Sequence, residues 1–255
     1  MIDIHCHILP GLDDGAKHTA DSVQMAKEAV LHGIHTIIAT PHHQNGKYTN
    51  TKNNILIEVN RLNKRLEEED IPLTVLSGQE SRISGDMVEG IKNGQLLCLN
   101  ETSCYIFLEL PSNHVPRYTQ QLLFDLQLEG YKPIIVHPER NKELIENPNI
   151  LYELVKKGTL TQITAASIVG KFGKKIQRFS QDLIEHNLTH FLASDAHNTT
   201  SRGFCMAESI NEIDKTYGNN MVYFFMENAQ TLIQGGNVIG DVPTRLKKKK
   251  FLGLL

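Results

Sequence analysis

Apolar residues in this chain fall into short, often β-branched runs separated by longer stretches with helical spacing. The runs Met1–His5, Thr36–Ala39, Leu73–Leu76, Tyr105–Leu108, Pro133–Val136, Leu160–Thr164 and His190–Ala193 read as strands. Between them, Asp21–His32 places Val23, Ala26, Ala29 and Val30 on one side and stops at Gly33. Asn53–Glu69 carries Ile55, Val59, Leu62 and Leu66 at helical spacing, and Pro116–Glu129 presents Leu122, Leu123 and Leu126 before Gly130. Ile150–Lys157 stops at Gly158, and Lys174–His186 and Ser201–Tyr217 continue the pattern. Such alternation implies parallel strands joined by crossover helices. No Ser/Gly/Pro-rich linker and no internal repeat divides the chain, so one domain is expected over residues 1–243. Residues 244–255 then form a basic-apolar tail, Arg245–Lys250 followed by Phe251-Leu252-Gly253-Leu254-Leu255. It reads either as a solvated terminus or as a segment suited to a partner or an anionic membrane surface.

The length of 255 residues matches the roughly 250 of a single α/β barrel. With 40% hydrophobic and 22% charged residues the chain can build a sizeable core. The net charge of −3 supplies no global basic field, which argues against nucleic acid as the main partner. No apolar run approaches the ~18 residues of a membrane span, and Met1-Ile2-Asp3 lacks the cationic start of a signal peptide. Cys6, Cys98, Cys104 and Cys205 show no C-x-x-C pairing, which fits a reducing cytoplasm.

Chemistry enters through position. His5, His42, Glu80, Glu109, His137 and Asp195 each lie at or just past the C-terminal end of an expected strand, six of the seven. Barrel active sites are built at that face from residues of different strands. In His5-Cys6-His7, alternate residues of an extended segment point the same way, so both imidazoles can share one ion while Cys6 faces elsewhere. Glu80, Glu109 and Asp195 directly follow apolar strand residues, where an unpaired charge would be costly. Mixed imidazole and carboxylate donors suit manganese, iron or zinc. Asp14, in the turn Asp13-Asp14-Gly15, lies on the loop after the first strand and is a further candidate, with His18 as its competitor. His197 follows Asp195 by two residues, and His43 beside His42 reads as a supporting or substrate-facing group, or a general acid. Arg140 and Arg202 would reach the mouth, where guanidinium grips phosphate oxygens in pairs. There is no G-x-x-x-x-G-K-[ST] loop and no G-x-S-x-G elbow. Six residues after each cysteine stand Leu12, Cys104, Leu110 and Asn211, not the arginine that a thiol-dependent phosphatase needs.

In order and spacing, His5-x-His7, Thr40-Pro41-His42, Gly78-Gln79-Glu80, Glu109, His137-Pro138-Glu139-Arg140 and Ser194-Asp195-Ala196-His197 resemble the polymerase and histidinol phosphatase superfamily. Within it, Asp3-Ile4-His5-Cys6-His7-Ile8-Leu9-Pro10-Gly11 and Leu12-Asp13-Asp14-Gly15-Ala16 look like the bacterial manganese-dependent tyrosine-protein phosphatases of capsular and extracellular polysaccharide operons. The likeness runs to about Pro243, and the tail resembles that of Bacillus-type members. The resemblance implies a distorted (β/α)7 TIM-like barrel with a three-ion Mn2+ cluster, iron or zinc being the alternatives. It implies one ion on His5, His7, Glu80 and Asp195, a second bridged by Glu80 to Glu109 and His137, and a third on Asp14, His42 and His197. Arg140 and Arg202 match phosphate-binding positions. Aspartate at position 14 favours protein phosphatases over small-molecule phosphatases such as histidinol phosphate phosphatase. The implied reaction is hydrolysis of phosphotyrosine by metal-activated water, on an autophosphorylating bacterial tyrosine kinase. Thr164-Ala165-Ala166-Ser167 departs from a Ser/Gly-rich family stretch and leaves the contacts of that loop open.

Overall fold

In the computed structural model, which describes residues 1–246, β1 (Ile2–Cys6) leads through a long loop to α1 (Thr19–Leu31), β2 (Thr36–Ala39) and β3 (His42–His43). α2 (Lys52–Glu68), β4 (Thr74–Ser77), β5 (Glu80–Arg82), α3 (Met87–Lys92), β6 (Tyr105–Glu109), α4 (Thr119–Leu128) and β7 (Lys132–Val136) follow. A single 3-10 turn, Pro138–Arg140, precedes α5 (Lys142–Glu146), α6 (Asn149–Lys156), β8 (Leu160–Thr164) and α7 (Ala165–Ile168). The described chain continues through α8 (Lys174–Glu185), β9 (Phe191–Ala193), α9 (Met206–Tyr217) and α10 (Asn219–Ile233).

All strand pairs are parallel, in the orders β1-β2-β4 and β3-β5-β6-β7-β8-β9. β3 resumes the line of β2 beyond Pro41, which has no N–H for a ladder bond, and β5 resumes β4 beyond Gly78. A Cβ at Gly78 would lie 2.6 Å from Ile38 Cγ2, so glycine lets the two strands approach there. Among the described residues the nine short strands therefore form seven staves. The ring closes where Cys6 bridges Ala196: the Asp195 N–H donates to His5 O at 2.9 Å and the His7 N–H to Ala196 O at 2.9 Å. The expected seven-stranded α/β barrel is what forms, with every expected strand in place.

Helices α3, α5, α7 and α10 were not read from the sequence, and the expected Ser201–Tyr217 helix starts only at Met206. α10 had a legible signal, since Val222, Phe225, Ala229 and Leu232 repeat at helical spacing and are buried.

Two apolar layers result. Ile2, Ile4, Ile38, Phe107, Ile134 and Phe191 fill the barrel, with Ala229 and Leu232 of α10 closing the N-terminal ends of the strands. Cys6, Ile37, Ile106, Ile135 and Ile163 face the helices. β1 changes phase between these layers. Its register with β2 runs Asp3↔Ile37 and then Cys6↔Ala39, three steps against two, which is a β-bulge. A one-residue slip exchanges the two faces of a strand. Ile2 and Ile4 therefore point into the barrel at one end, and beyond the bulge His5 and His7 take over the interior while Cys6 turns outward.

Candidate metal centre

The strand ends at the barrel mouth bring three groups of ligand-type atoms together. In the first, His5 Nε2 and His7 Nε2 lie 3.3 Å apart. Both are 3.3 Å from Glu80 Oε2, and they are 3.5 and 3.2 Å from Asp195 Oδ1. In the second, Glu80 and Glu109 flank His42 Nδ1 at 2.9 and 3.8 Å, and His137 Nε2 sits 2.8 Å from Glu80 Oε1. In the third, Asp14 Oδ1 lies 3.5 Å from His42 Nε2 and 3.4 Å from His197 Nε2, and the His7 and His197 ring centres lie 3.8 Å apart, the rings tilted by 31°. Glu80 thus joins the first two groups, and His42 stands between the second and third. His137 and Asp195 reach inward because the backbone turns left-handed at both, with φ of 35° and 52°, a strain that concentrates at functional sites.

A cation suits these groups. His42 Nδ1, Glu80 Oε2, Glu109 Oε2 and His197 Nε2 are buried with ionic contacts but no well-aligned hydrogen bond among the described residues. Buried polar atoms normally have one, and orphans of this kind point to an ion. Each of three sets, His5/His7/Glu80/Asp195, His42/Glu80/Glu109 and His7/Asp14/His42/His197, could hold a metal ion. Burial and the neighbouring charge of Glu80 push the Glu109 carboxyl up to about 7, against the pull of His42, Arg82 and Arg140, so a cation between the two carboxylates would relieve their repulsion. Burial and the Arg140 guanidinium push His137 down to about 4, leaving a neutral imidazole able to donate a lone pair. Burial opposes ionisation of Asp195, but Arg140, His5, His7 and His197 outweigh it and hold the carboxyl well below the usual range. Asp14 is also held low, first by its close contact with His197.

Both expected arginines reach the mouth, and one carboxylate oxygen anchors them. Arg140 Nη2 lies 2.8 Å and Arg202 Nη2 3.3 Å from Asp195 Oδ2, while Arg202 Nη1 is 3.6 Å from Asp14 Oδ2. The same Asp195 faces His5 and His7 through Oδ1, so it sets the arginines and the ligand cluster in one frame. A cavity of about 240 Å³ opens here, lined by His42, Glu109, His137, Arg140, Asp195 and Arg202.

Other expectations fall out differently. His43 follows His42 on β3, so it turns to the opposite side of the strand; its buried ring does not line the cavity, which takes it away from a proton-donating position. His18 only caps α1 and joins none of the three groups. Cys6 is packed, its thiol directed at Ala196 O and pushed up by burial. The Thr164–Ser167 stretch finds a partner: the Thr164 N–H and Ser167 hydroxyl both donate to buried Glu139, at 2.9 and 2.7 Å, next to Arg140.

Three supporting residues escaped the sequence reading. Gln162 Oε1 lies 2.9 Å from His5 Nδ1, Asp13 Oδ2 lies 2.6 Å from His7 Nδ1, and Arg82 Nη2 lies 3.1 Å from Glu109 Oε2. A glutamine inside the buried run Leu160–Thr164 was the one available signal; Asp13 looked like any turn residue.

Residues 1–234 match the family described as capsular polysaccharide synthesis, CpsB/CapC. The chain belongs to this family. It is 51% identical to the tyrosine-protein phosphatase YwqE of Bacillus subtilis over 253 residues, 99% of each chain. It is 40% identical to CapC of Staphylococcus aureus over the whole of both. A solved structure from work on YwqE of Bacillus subtilis and CpsB of Streptococcus pneumoniae, described there as unique metal-dependent tyrosine phosphatases, superposes with a TM-score of 0.95. It covers 97% of this chain and 100% of its own, at 51% identity.

Beyond the CpsB/CapC match, residues 235–246 cross the N-terminal end of the barrel and dock on its side. The Thr244 N–H donates to His186 O at 2.9 Å. Arg245 pairs with Asn149 and Glu153 and lies 4.4 Å over the Tyr152 ring. The rest of the expected tail, 247–255, lies outside the described residues.

Proposed function

We propose that this chain is a metal-dependent protein-tyrosine phosphatase that hydrolyses phosphotyrosine at the barrel mouth. One observation carries the reading: imidazoles and carboxylates from the ends of separate strands converge in three sets linked by Glu80 and His42, directly beneath Arg140 and Arg202. His5, His7, Glu80 and Asp195 would hold one ion, Glu80, Glu109 and His137 a second, and Asp14, His42 and His197 a third. Mn2+ is the proposed metal because the sequence resembles manganese-dependent phosphatases; the carboxylate and imidazole donors suit it, as they also suit iron and zinc. Bound ions would lower the pKa of water towards ~7 and neutralise phosphate charge.

The chain's own residues do the rest. Arg140 and Arg202, held on Asp195 Oδ2, turn their remaining N–H donors toward equatorial phosphate oxygens and stabilise the charge that develops there. Asp195 keeps both from swinging out of the mouth. Phenolate is a good leaving group, so no strong general acid is required, which agrees with the retreat of His43 from the cavity.

The substrate proposed is a bacterial tyrosine kinase of capsular or extracellular polysaccharide synthesis, met in the cytoplasm. Four free cysteines fit that compartment, and no described helix is long and apolar enough to cross a membrane. The basic-apolar sequence of the tail suits transient contact with an anionic membrane surface.

Chelator-stripped protein, reloaded with Mn2+, Fe2+ or Zn2+, would be offered phosphotyrosine peptide, phosphoserine peptide and histidinol phosphate. Metal-restored turnover of the phosphotyrosine peptide is expected, fastest with Mn2+. Rapid histidinol phosphate turnover with an inert phosphotyrosine peptide would overturn the substrate assignment.

A further inference from the structure

We infer that Asp13 is a positioning residue that sets His7 and the start of β3 for metal binding, an inference that rests on the metal-dependent reading above. Its carboxylate is buried and engages three separate partners. Oδ2 lies 2.6 Å from His7 Nδ1 and accepts the His42 backbone N–H at 3.0 Å, while Oδ1 accepts the Gly15 N–H at 2.9 Å. The Gly15 contact is what any aspartate in a tight turn makes. The other two are not, since they tie the loop after β1 to the end of β1 itself and to the neighbouring stave.

The consequence for His7 is chemical. An ionised carboxylate only accepts hydrogen bonds, so Nδ1 carries a hydrogen, and when the ring binds an ion the lone pair it offers is on Nε2. Nε2 is the atom 3.3 Å from Glu80 Oε2 and 3.2 Å from Asp195 Oδ1. Asp13 thereby selects the tautomer able to bind an ion and makes that nitrogen more basic, as outer carboxylates do for ligating histidines.

The consequence for the third set is mechanical. Asp14 is the next residue, and Asn50 Nδ2 clasps the same two segments by donating to Leu12 O at 2.9 Å and His42 O at 2.8 Å. A Cβ at Gly15 would lie 2.0 Å from His7 O, so the loop is pressed against His7 with no room to slide. Asp13 therefore holds three of the four members of the His7, Asp14, His42 and His197 set.

The test uses the full chain as Asp13→Asn, with Asp21→Asn as the control, because Asp21 only caps backbone N–H groups at the start of α1. Metal per chain after gel filtration and Mn2+ affinity by titration are the primary readouts, with kcat and KM beside them. Asp13→Asn is expected to retain fewer ions per chain and to bind Mn2+ about 10- to 100-fold more weakly, with kcat falling more than KM. Excess Mn2+ should restore part of the activity, and the melting temperature of metal-free protein should stay near wild type. A purely structural role would lower that temperature and leave affinity in the folded fraction unchanged, which would overturn the inference. Imidazole ¹⁵N shifts of wild-type protein loaded with diamagnetic Zn2+ test the geometry even if the variant does not fold: a hydrogen on His7 Nδ1 with the ion on Nε2 is expected, and an ion on Nδ1 refutes it. Wild-type protein that binds no divalent ion would instead refute the metal-dependent reading and this inference with it.

Discussion

The two ends of the barrel treat buried polar atoms in opposite ways. At the N-terminal ends of the strands several find partners across the closing segment. The Tyr105 hydroxyl donates to Gly236 O and accepts the Val238 N–H, at 2.8 and 2.9 Å. Lys132 donates to Gly236 O, Asn100 to Ile233 O, and Asn228 to His190 O. His190 Nδ1 accepts the Thr161 N–H at 3.2 Å. At the C-terminal ends, His42, Glu80, Glu109 and His197 keep buried atoms without a well-aligned hydrogen bond, and Glu80 and Glu109 face each other across one imidazole. The first arrangement stabilises the fold; the second leaves the protein poised for cations. The same strands serve both purposes because alternation carries apolar residues into the interior near one end and ligand-type residues near the other.

Substitutions should separate the two ends. The largest effect is expected for His137→Asn, whose new side chain tolerates the left-handed backbone but cannot reach Glu80. Phosphatase activity should fall ~10³-fold or more, with circular dichroism and metal-free melting preserved. Full activity would remove His137 from the centre. At the closed end, Phe191→Ala should cost about 3–5 kcal/mol of stability by opening a cavity beneath Tyr105, measured by urea unfolding. Ion stoichiometry of the folded fraction should not change; a matching loss of metal would show that the ends are not independent.

His190 sharpens the contrast through pH. Burial pushes its imidazole down to about 4, against 6.5 when exposed. Between these values the unfolded chain takes up a proton that the folded chain refuses, so stability is complete above about 6.5 and falls as pH drops toward about 4. The loss attributable to this group is roughly 3 kcal/mol. His190→Asn, which keeps an acceptor for Thr161, should flatten that part of a stability profile recorded with chelator present; an unchanged slope would acquit His190. The smallest effect is expected for Tyr105→Phe, about 1–2 kcal/mol from two lost hydrogen bonds, with no change in kcat.

Much of this could be read before folding. The strands were visible because period-2 and period-3.6 patterns are local, and the candidate ligands because each stands at the end of such a run. α10 was missed although its pattern is regular, whereas β3 and β5 were missed because two or three residues carry no period. His43 lies off the cavity because proximity to His42 in sequence does not mean proximity in space on a strand: adjacent residues point to opposite faces.

The sequence by itself determined the strand–helix alternation, the residue types at the barrel mouth and, through ordered motifs, the family. Only the tertiary structure decided which atoms meet. The bulge in β1 depends on its register with β2, and it alone turns His5 and His7 inward. That Asp195 anchors both arginines, that Gln162 and Asp13 fix the rings of His5 and His7, and that Pro41 and Gly78 break two staves without breaking the barrel all arise from closure of the ring. These contacts join segments far apart in the chain, and local periodicity holds no information about them. His-x-His at the N-terminus was legible as two ligands on one face, but the face itself was chosen by a neighbouring strand.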